Sequence, residues 1–168
     1  LEEPDLLQYS PSPFGSKKLL NENFDISFRQ KRENKRYTFA IYDKHKRKYA
    51  GSTSLGEISI KDERITIGWT WIGKEFRGTE LNKKCKFLLL SYVFETLDCK
   101  RVEFVTDSRN IISRKAIEGI GGTFEGELRN HVLLPNGFRR NTIIYSILQE
   151  EWQEIKKKIF STLLLNKI

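Results

Sequence analysis

The spacing of hydrophobic and polar positions divides the first half of the chain into one helix and three strands. Residues 16–35 repeat apolar side chains at helical steps, with Phe24 and Phe28 on one side and Ser16 as a candidate N-cap. Three later segments alternate with a period of two and are rich in β-branched and aromatic residues, which is typical of strands. Because short polar turns join them, we predict an antiparallel meander. The three strands cover residues 36–43, 49–60 and 65–72.

A longer amphipathic pattern follows the third strand, within Glu75–Glu95. Its apolar side chains recur at three- and four-residue steps, which predicts a helix whose apolar stripe packs on a sheet. The connection from strand through helix to strand allows the next strand to lie parallel to the one before the helix. We therefore expect a mixed sheet. The stripe consists of Leu81, Cys85, Leu88, Leu89 and Tyr92.

The second half continues as strand, helix, hairpin and helix. Asn110 is a candidate cap of the next helix, and Gly121 is its candidate end. The tail is predicted to be helical from Gln149, whereas residues 1–15, which hold three of the four prolines, are predicted to be irregular. The remaining strands are predicted at 101–106, 123–134 and 140–148, the last two joined across a Pro-Asn-Gly turn.

Composition narrows the class of protein. The 168 residues include 38% hydrophobic and 12% aromatic positions, enough for one globular domain. No apolar run approaches the roughly 18 residues of a membrane span, so no membrane partner is expected. Cys85 and Cys99 lack the spacing of metal ligands, so we predict free thiols, no metal site and a cytoplasmic location.

The net charge of +8 favours anionic partners. Nucleic acid is one candidate, and a phosphorylated cofactor is another. The basic residues are scattered, and no stripe of basic and aromatic residues of the kind that binds single strands is present. The pattern therefore favours a phosphorylated cofactor over direct recognition of nucleic acid.

The segment 73–82, which precedes the second helix, is a candidate phosphate site. A helix start leaves backbone N–H groups unpaired and carries partial positive charge, so it can bind a phosphate group. Gly78 allows an oxygen to approach closely, Thr79 offers a hydroxyl group, and Arg77 adds positive charge. The alternative is an ordinary helix start with Gly78 or Thr79 as its cap.

Three segments keep their order and spacing between about Arg64 and Trp152: FRGTELNKKCKFLLLSYVFETL, RVEFVTDSRNIISRKAIEGIGGTFEGELRNH and RNTIIYSILQEEW. Together they resemble the GNAT acyltransferase superfamily, and within it the branch of Rim-type acetyltransferases that modify the N-termini of ribosomal proteins. The resemblance implies an α+β fold. It has a splayed mixed sheet of about six to seven strands, with an antiparallel N-terminal meander and flanking helices. It also implies that acetyl-CoA lies in the splay.

The family's pyrophosphate loop has one clear mismatch in this chain. Arg77, Gly78 and Thr79 match the loop, but Glu80 stands where the family has a later glycine. A carboxylate would repel a pyrophosphate, so we expect Glu80 to point away from the cofactor. The chain shows six strands where the family has seven. The family's first strand is therefore expected to precede Leu1 in a single N-acetyltransferase domain that covers 1–168.

The same resemblance assigns the other cofactor contacts. Asn110 would hydrogen-bond the pantetheine arm, and Ser113 would protonate the departing thiolate. Trp71 or Ile72, on the third strand, would donate a backbone N–H to the reacting carbonyl oxygen. For Asn110 and Ser113 the alternative is a role in helix capping alone. The implied cofactor-binding residues are Trp71, Ile72, Arg77, Gly78, Thr79, Leu81, Asn82, Asn110 and Arg114.

The general base is predicted on the strand after the helix of Asn110. His131 is the first candidate, because this branch often has a histidine there and an imidazole titrates near neutral pH. Strand alternation places Glu125 on the same face, which makes it the second candidate. The alternative for His131 is an exposed or structural histidine. The predicted face consists of Glu125, Glu127, Arg129 and His131.

The resemblance implies an enzyme that transfers the acetyl group of acetyl-CoA directly to an amine within a ternary complex. The acceptor is either the N-terminal amine of a protein or a small-molecule amine. Two alternatives stay open: a catalytically silent acyl-CoA-binding module on the same fold, and a basic protein that associates with the ribosome or nucleic acid. A homodimer is a further expectation.

Overall fold

The computed structural model describes residues 8–12 and 16–165, with side chains described as far as Leu163. Within the segment predicted to be irregular, residues 8–12 form turns and bends, and the others lie outside the described residues. The elements are α1 Lys17–Arg32, β1 Arg36–Asp43, β2 Lys48–Ser59, β3 Arg64–Ile72, α2 Leu81–Ser91, β4 Arg101–Asp107, α3 Ile111–Glu118, β5 Thr123–Leu133, β6 Arg139–Leu148, α4 Gln149–Ile159 and α5 Ser161–Leu165.

Six strands form one mixed sheet in the order β1-β2-β3-β4-β6-β5. The first three strands pair antiparallel, as the meander prediction required. β4 lies parallel to β3, and β6 lies antiparallel between β4 and β5. The predicted α+β class with a mixed sheet and flanking helices is confirmed.

The sheet splits between its third and fourth strands. β3 and β4 pair only from Arg64 to Thr66, opposite Arg101 to Glu103. On either side pairing continues: β3 stays with β2 as far as Ile72, and β4 stays with β6 as far as Asp107. The two halves therefore diverge towards the carboxyl ends of β3 and β4, where α2 and α3 begin shortly afterwards.

The main core lies between the sheet and the helices. Trp152 of α4 is 1% exposed, and its ring lies 5.6 Å from that of Phe94 and 5.8 Å from that of Phe160. Phe87 of α2 lies 5.3 Å from Phe160. These aromatic rings join α2 to the C-terminal helices and fix its orientation on the sheet.

The apolar stripe predicted for α2 is wrong in detail. Leu88 and Tyr92 are exposed, whereas Phe87 and Leu90 are buried. The helix has two overlapping sets of apolar residues at helical spacing. The set that contains Phe87 is buried, because Phe87 packs against Trp152 in α4 and against Phe160, which follows α4. Of the predicted stripe, Leu81 and Cys85 pack instead on a smaller cluster, and Leu89 packs on the main core.

The first helix begins where its capping signal predicts, since Ser16 Oγ accepts a hydrogen bond from the N–H of Leu19 at 3.2 Å. α1 has no buried residue, and Phe24 and Phe28 are more than half exposed. Its contact with β1 includes a hydrogen bond from Arg36 Nη2 to Ser27 Oγ at 2.8 Å. The apolar side of α1 is therefore not a core face in this chain.

Candidate functional site

The open edge of β3 presents backbone groups to the split. The N–H of Gly73 donates to the carbonyl oxygen of Ala50 in β2, so this group points away from the split. Successive peptide groups of a strand point in opposite directions, so those of Ile72 face the open side. The hydrogen bond from Arg77 Nε to the carbonyl oxygen of Ile72, at 2.8 Å, agrees with this direction. Of the two predicted donors, Ile72 rather than Trp71 has its N–H on the split.

A β-bulge distorts β3 after its pairing with β4 has ended. Trp69 has φ +50°, and the pairing of β2 with β3 shifts between Ser52 and Ser54. A bulge of this kind bends and twists its strand locally. Beside it, a Cβ on Gly51 would lie 1.8 Å from the carbonyl oxygen of Trp71, so β2 needs a glycine to approach β3 this closely.

The start of α2 is open at the end of the split. Glu80 occupies the N-cap position but makes no capping hydrogen bond with its side chain. Thr79 Oγ1 donates to the carbonyl oxygen of Phe76 at 2.7 Å and accepts only a longer bond, 3.3 Å, from the N–H of Leu81. The bond to Leu81 is a long capping contact, so the alternative of Thr79 as the cap stays open, whereas Gly78 has no side chain that could cap. Gly78 adopts φ +71°, a left-handed conformation that favours glycine.

Glu80, the mismatched residue, forms an ion pair along the helix. Its carboxylate lies 3.5 Å from Lys84 Nζ, in an i, i+4 pair on the exposed side of α2. Asn82 Oδ1, in the first turn of the helix, is buried without a hydrogen-bond partner among the described residues. Arg77 is exposed and holds the loop against β3 through its bond to Ile72.

The start of α3 forms the opposite wall. Asn110 Oδ1 accepts from the N–H of Ser113 at 3.0 Å, so the predicted cap is confirmed. In the described part of the chain its Nδ2 has no acceptor. Ser113 is half-buried in the first turn. Arg114 Nε donates to the hydroxyl oxygen of Tyr145 at 3.2 Å, which holds this guanidinium against β6.

A buried carboxylate ends β4 beside this wall. Asp107 is fully buried and accepts two hydrogen bonds from the guanidinium of Arg109, at 3.0 and 2.6 Å. That guanidinium lies 3.9 Å from the ring of Phe138, in the turn between β5 and β6. Arg140 Nη1 donates to the carbonyl oxygen of Tyr9 at 2.9 Å. Sequence spacing gave no signal for this cluster, because the turn and the N-terminal segment meet β4 only in the fold.

A buried lysine lies behind the bulge of β3. Lys86 of α2 is 6% exposed, and its Nζ donates to Thr70 Oγ1 at 2.7 Å and to Thr53 Oγ1 at 3.2 Å. The two hydroxyl oxygens lie 2.9 Å apart. Burial lowers the pKa of Lys86 to about 8. The sequence did carry a signal: Lys86 stands four residues before the buried Leu90, on an apolar face.

Glu125 does not belong to the split. Arg101 donates two hydrogen bonds to its carboxylate, one of them to Oε1 at 2.6 Å, and Ser146 Oγ donates to Oε1 at 2.7 Å. The hydrogen bonds from Arg101 lower the pKa of Glu125 to about 2, so it is a very weak base. Arg101 begins β4, at the end of that strand remote from Asn110. The prediction of Glu125 as a base is therefore corrected.

The polar face predicted on β5 is interrupted by two bulges, between Phe124 and Gly126 and between Leu128 and Val132. The first adds one residue to β5 and the second adds two, and both interrupt the regular alternation of the strand. His131 follows Asn130, which has φ +54°, and is exposed. His131 therefore lies in an irregular hairpin rather than on one face with Glu125.

Asn141 places this hairpin near the start of α3. Its side chain bonds the N–H of Asn130 at 2.9 Å and Glu127 Oε1 at 2.8 Å. Its carbonyl oxygen accepts from the N–H of Ser108 at 3.1 Å, two residues before Asn110. A surface cavity at this point is lined by Glu127, Leu128, Arg129, Asn130, His131 and Asn141. His131 and Glu127, but not Glu125, thus share the end of the sheet that carries Asn110.

A split mixed sheet, with an open helix start on one wall and an asparagine-capped helix on the other, is the architecture that the sequence resemblance implied. The family model described as "Acetyltransferase (GNAT) domain" matches residues 1–123. The chain therefore belongs to the GNAT acetyltransferase family, and the predicted superfamily is confirmed.

The chain is similar to a curated Bacillus subtilis protein named "Putative ribosomal N-acetyltransferase YdaF", with 33% identity over 103 residues. That match covers 61% of this chain and 55% of the relative, so the chain spans about half the length of the curated relative it matches. The relative's name agrees with the predicted Rim-type branch.

Solved structures show the same fold over nearly the whole chain. A GCN5-related N-acetyltransferase from Brucella melitensis has a TM-score of 0.86 and 26% identity, over 96% of this chain and 72% of its own. An acetyltransferase structure from T. thermophilus has a TM-score of 0.83 and 30% identity, over 95% and 83% of the two chains. A Mycobacterium smegmatis RimJ structure in complex with CoA-disulfide, at 18% identity, shares the fold with a TM-score of 0.76, over 89% of this chain and 73% of its own.

The described residues contain neither a candidate membrane-spanning helix nor a candidate metal site. In residues 8–12 and 16–165, no helix is both long and apolar enough to cross a membrane. The same residues contain no group of three or more His, Cys, Asp or Glu side chains placed to hold a metal ion. Cys85 and Cys99 are free thiols, and both are partly buried.

Proposed function

We propose that this protein transfers the acetyl group of acetyl-CoA directly to an amine. One observation supports this most strongly: β3 and β4 separate after Thr66 and Glu103, and α2 starts shortly after β3 with no capping bond from the Glu80 side chain. An extended thiol arm can lie along the open edge of β3, with its diphosphate at the helix start. Family membership supports the same assignment.

The residues at the helix start fit a diphosphate. The first turn of α2 provides backbone N–H groups, and Gly78 has no atom within 4 Å of where a Cβ would stand. The Glu80 carboxylate is paired with Lys84, which reduces its repulsion of an anion. We also assign cofactor binding to four neighbouring residues of this segment: Arg77, Thr79, Leu81 and Asn82.

Acetyl-CoA would supply an activated acetyl thioester, and the chain would position it. We assign the N–H of Ile72 as the donor to the thioester oxygen, because this peptide group faces the split. Trp71, the residue before it, would form part of the same wall. Asn110 would hold the pantetheine arm through its amide Nδ2, and Ser113 would give a proton to the departing sulfur. Arg114 would support this wall through Tyr145 rather than contact phosphate.

The acceptor amine must lose a proton before it attacks. An α-amino group has a pKa of about 8, so a modest base is sufficient near neutral pH. We propose His131, exposed at the cavity near the start of α3, for this role. The name of the Bacillus subtilis relative favours a protein N-terminal amine as the acceptor, with a small-molecule amine as the second possibility.

The cofactor and the acceptor need separate experiments. A thermal-shift titration with CoA tests binding, and release of free thiol from acetyl-CoA tests transfer. The acceptor panel should contain short peptides with free N-termini, the same peptides with blocked N-termini, and small amines. We expect thiol release with free peptides only. CoA binding without thiol release from any amine would instead support the silent binding module.

The role of His131 is tested by His131→Ala, with His45→Ala in the exposed β1–β2 turn as the matched control. We expect His131→Ala to lower kcat most at low pH, where the acceptor depends most on a base. A His131→Ala rate equal to that of the wild type from pH 6 to 9 would remove this residue from the proposal. A cytoplasmic location and a homodimer also stay proposals, and sedimentation would test the second.

A further inference from the structure

We propose that Lys86 is a positioning residue for the reaction proposed above: its ammonium group fixes the bulge of β3 and places positive charge behind the open edge of that strand. This inference rests on the proposed function. It concerns a side chain that neither the cofactor loop nor the acceptor cavity includes.

The surroundings of Lys86 are unusual for a lysine. Its side chain is 6% exposed, between α2 and the sheet. Within the described part of the chain, its hydrogen-bond partners are the hydroxyl groups of Thr70 and Thr53, and no carboxylate pairs with it. A buried charge without a counterion lowers stability, whereas an apolar side chain of similar length would fill the same space. Packing alone therefore does not explain the lysine.

The two threonines stand where the strands change register. Thr70 follows Trp69, the bulged residue with φ +50°. Thr53 lies between Ser52 and Ser54, across which the β2–β3 pairing shifts. The ammonium group thus connects β2, β3 and α2 at the bulge, beyond the last residues of β3 that pair with β4. Loss of this connection would let the bulge, and the peptide groups after it, change position.

The charge is hydrogen-bonded to the strand that carries the peptide group proposed to receive the thioester. Thr70 precedes Ile72 by two residues, and the N–H of Ile72 faces the split. Negative charge develops on the thioester oxygen during attack by the amine, and a nearby cation in a region of low dielectric stabilises that charge. Lys86 would act through the strand and would not touch the substrate.

The groups that face Lys86 are few. From its own helix, the neighbouring Cys85 is the titratable side chain that acts on it, and burial raises the pKa of that thiol. From β2 and β3 the contacts are the hydroxyl groups of Thr53 and Thr70. Because the pKa of Lys86 is lowered to about 8, its charge is present at neutral pH and is lost as the pH rises through 8.

The kinetic test uses Lys86→Met, with Lys61→Met in an exposed turn as the control. We expect Lys86→Met to lower kcat about tenfold at pH 7 and to leave KM for acetyl-CoA nearly unchanged. This loss is smaller than the roughly hundredfold or greater loss expected when a group that donates directly to the reacting oxygen is removed. The ratio of wild-type to variant kcat should fall towards one above pH 8. An unchanged kcat at pH 7 would overturn the proposal that the charge of Lys86 promotes the reaction. A ratio of wild-type to variant kcat that stays constant from pH 6.5 to 9.5 would also overturn it.

The structural test is independent of activity. We expect Lys86→Met to shift the backbone amide resonances of Thr70 and Ile72, and Lys61→Met to leave them in place. If these two amide resonances do not shift in Lys86→Met, the proposal that Lys86 fixes the position of β3 is wrong. If the wild type releases no thiol with any amine, the proposed function fails, and these spectra still decide whether Lys86 fixes β3. If Lys86→Met does not fold, Thr70→Val removes the nearer hydroxyl group, and the same two readouts apply.

Discussion

Asn110, at the split, combines an observed capping role with a proposed role in binding the cofactor. Its Oδ1 caps α3 by accepting from the N–H of Ser113. Its Nδ2 is proposed to hold the cofactor. A capping residue that lacks an amide separates these two contributions, because serine caps helices about as well as asparagine.

We expect Asn110→Ser to weaken acetyl-CoA binding with little loss of stability. Asn110→Ala should weaken binding as well and also lower the free energy of unfolding by about 1 kcal/mol, because the cap is lost. Calorimetric titration with acetyl-CoA and denaturant unfolding measure the two effects. Equal acetyl-CoA affinity in the wild type and Asn110→Ser would limit Asn110 to capping.

The free energy of unfolding should depend on the charge of Lys86. Its pKa is lowered from 10.5 to about 8 in the folded protein, so the unfolded chain binds more protons between these values. The buried charge of Lys86 therefore lowers the free energy of unfolding by its full amount below pH 8. This destabilisation disappears as the pH rises towards 10.5. Lys86→Met should be at least as stable as the wild type at pH 7, and this difference should shrink by pH 10. A variant much less stable than the wild type at pH 7 would contradict this.

Glu125 should contribute to stability and not to catalysis. The hydrogen bonds from Arg101 lower its pKa from 4.5 to about 2, so the stabilisation is present above pH 4.5 and is lost as the pH falls through 2. The pair is partly exposed, so Glu125→Gln should cost up to about 1 kcal/mol at pH 7. Unfolding at pH 7 and pH 3 tests this. The pH profile of kcat should match that of the wild type, and a changed profile would return Glu125 to the site.

At the level of elements, the loop before α2 and the bulge of β3 decide the shape of the site. The loop needs a left-handed residue at Gly78 to bring the helix start towards the split. Neither Gly78 nor Gly126 has an atom within 4 Å of the position that a Cβ would take, but only Gly78 has a positive φ. Gly126 therefore provides a control in which the added methyl group causes no left-handed strain.

We expect Gly78→Ala to lower the free energy of unfolding by about 1 to 2 kcal/mol through left-handed strain, and to weaken acetyl-CoA binding because the loop shifts. Gly126→Ala should change both quantities much less. Thermal unfolding and calorimetric titration measure them. Comparable acetyl-CoA affinity in the two variants would show that the conformation of Gly78 does not shape the cofactor site.

At the level of the whole molecule, the two halves of the sheet are joined by only three residue pairs between β3 and β4 within the described strands. A ligand in the split would contact both halves, from Ile72 on one side and Asn110 on the other. Binding to the folded state alone adds stability by mass action. Cofactor binding in the split would therefore stabilise both halves of the sheet together.

CoA at about one hundred times its dissociation constant should raise the free energy of unfolding by about 2.7 kcal/mol. Thermal or denaturant unfolding with increasing CoA measures this, and 3′-dephospho-CoA and free pantetheine show which part of the ligand is responsible. A single-stranded nucleic acid should not compete with CoA. Competition that weakens steeply with added salt would instead favour nucleic-acid binding.

Local signals predicted the elements well where they depend on neighbouring residues. Ser16 and Asn110 are caps in the structure, and the turns of the meander lie where the polar segments predict them. The buried face of α2 was not predicted, because two apolar sets compete on that helix. Glu125 was misassigned because the alternation that grouped it with His131 ends at two bulges. Lys86 was missed because charged residues are ordinarily exposed.

Local periodicity, capping residues and matched motifs along the chain were enough to predict the order of elements, the family and the loop that is proposed to bind the cofactor. The folded structure was needed to show which peptide group of β3 faces the split, that Glu125 is bound to Arg101, and that Lys86 is buried behind the bulge. Each of these depends on contacts between residues far apart in the chain. Such contacts follow from packing and bulge geometry, which the spacing of residues along one strand or helix does not contain.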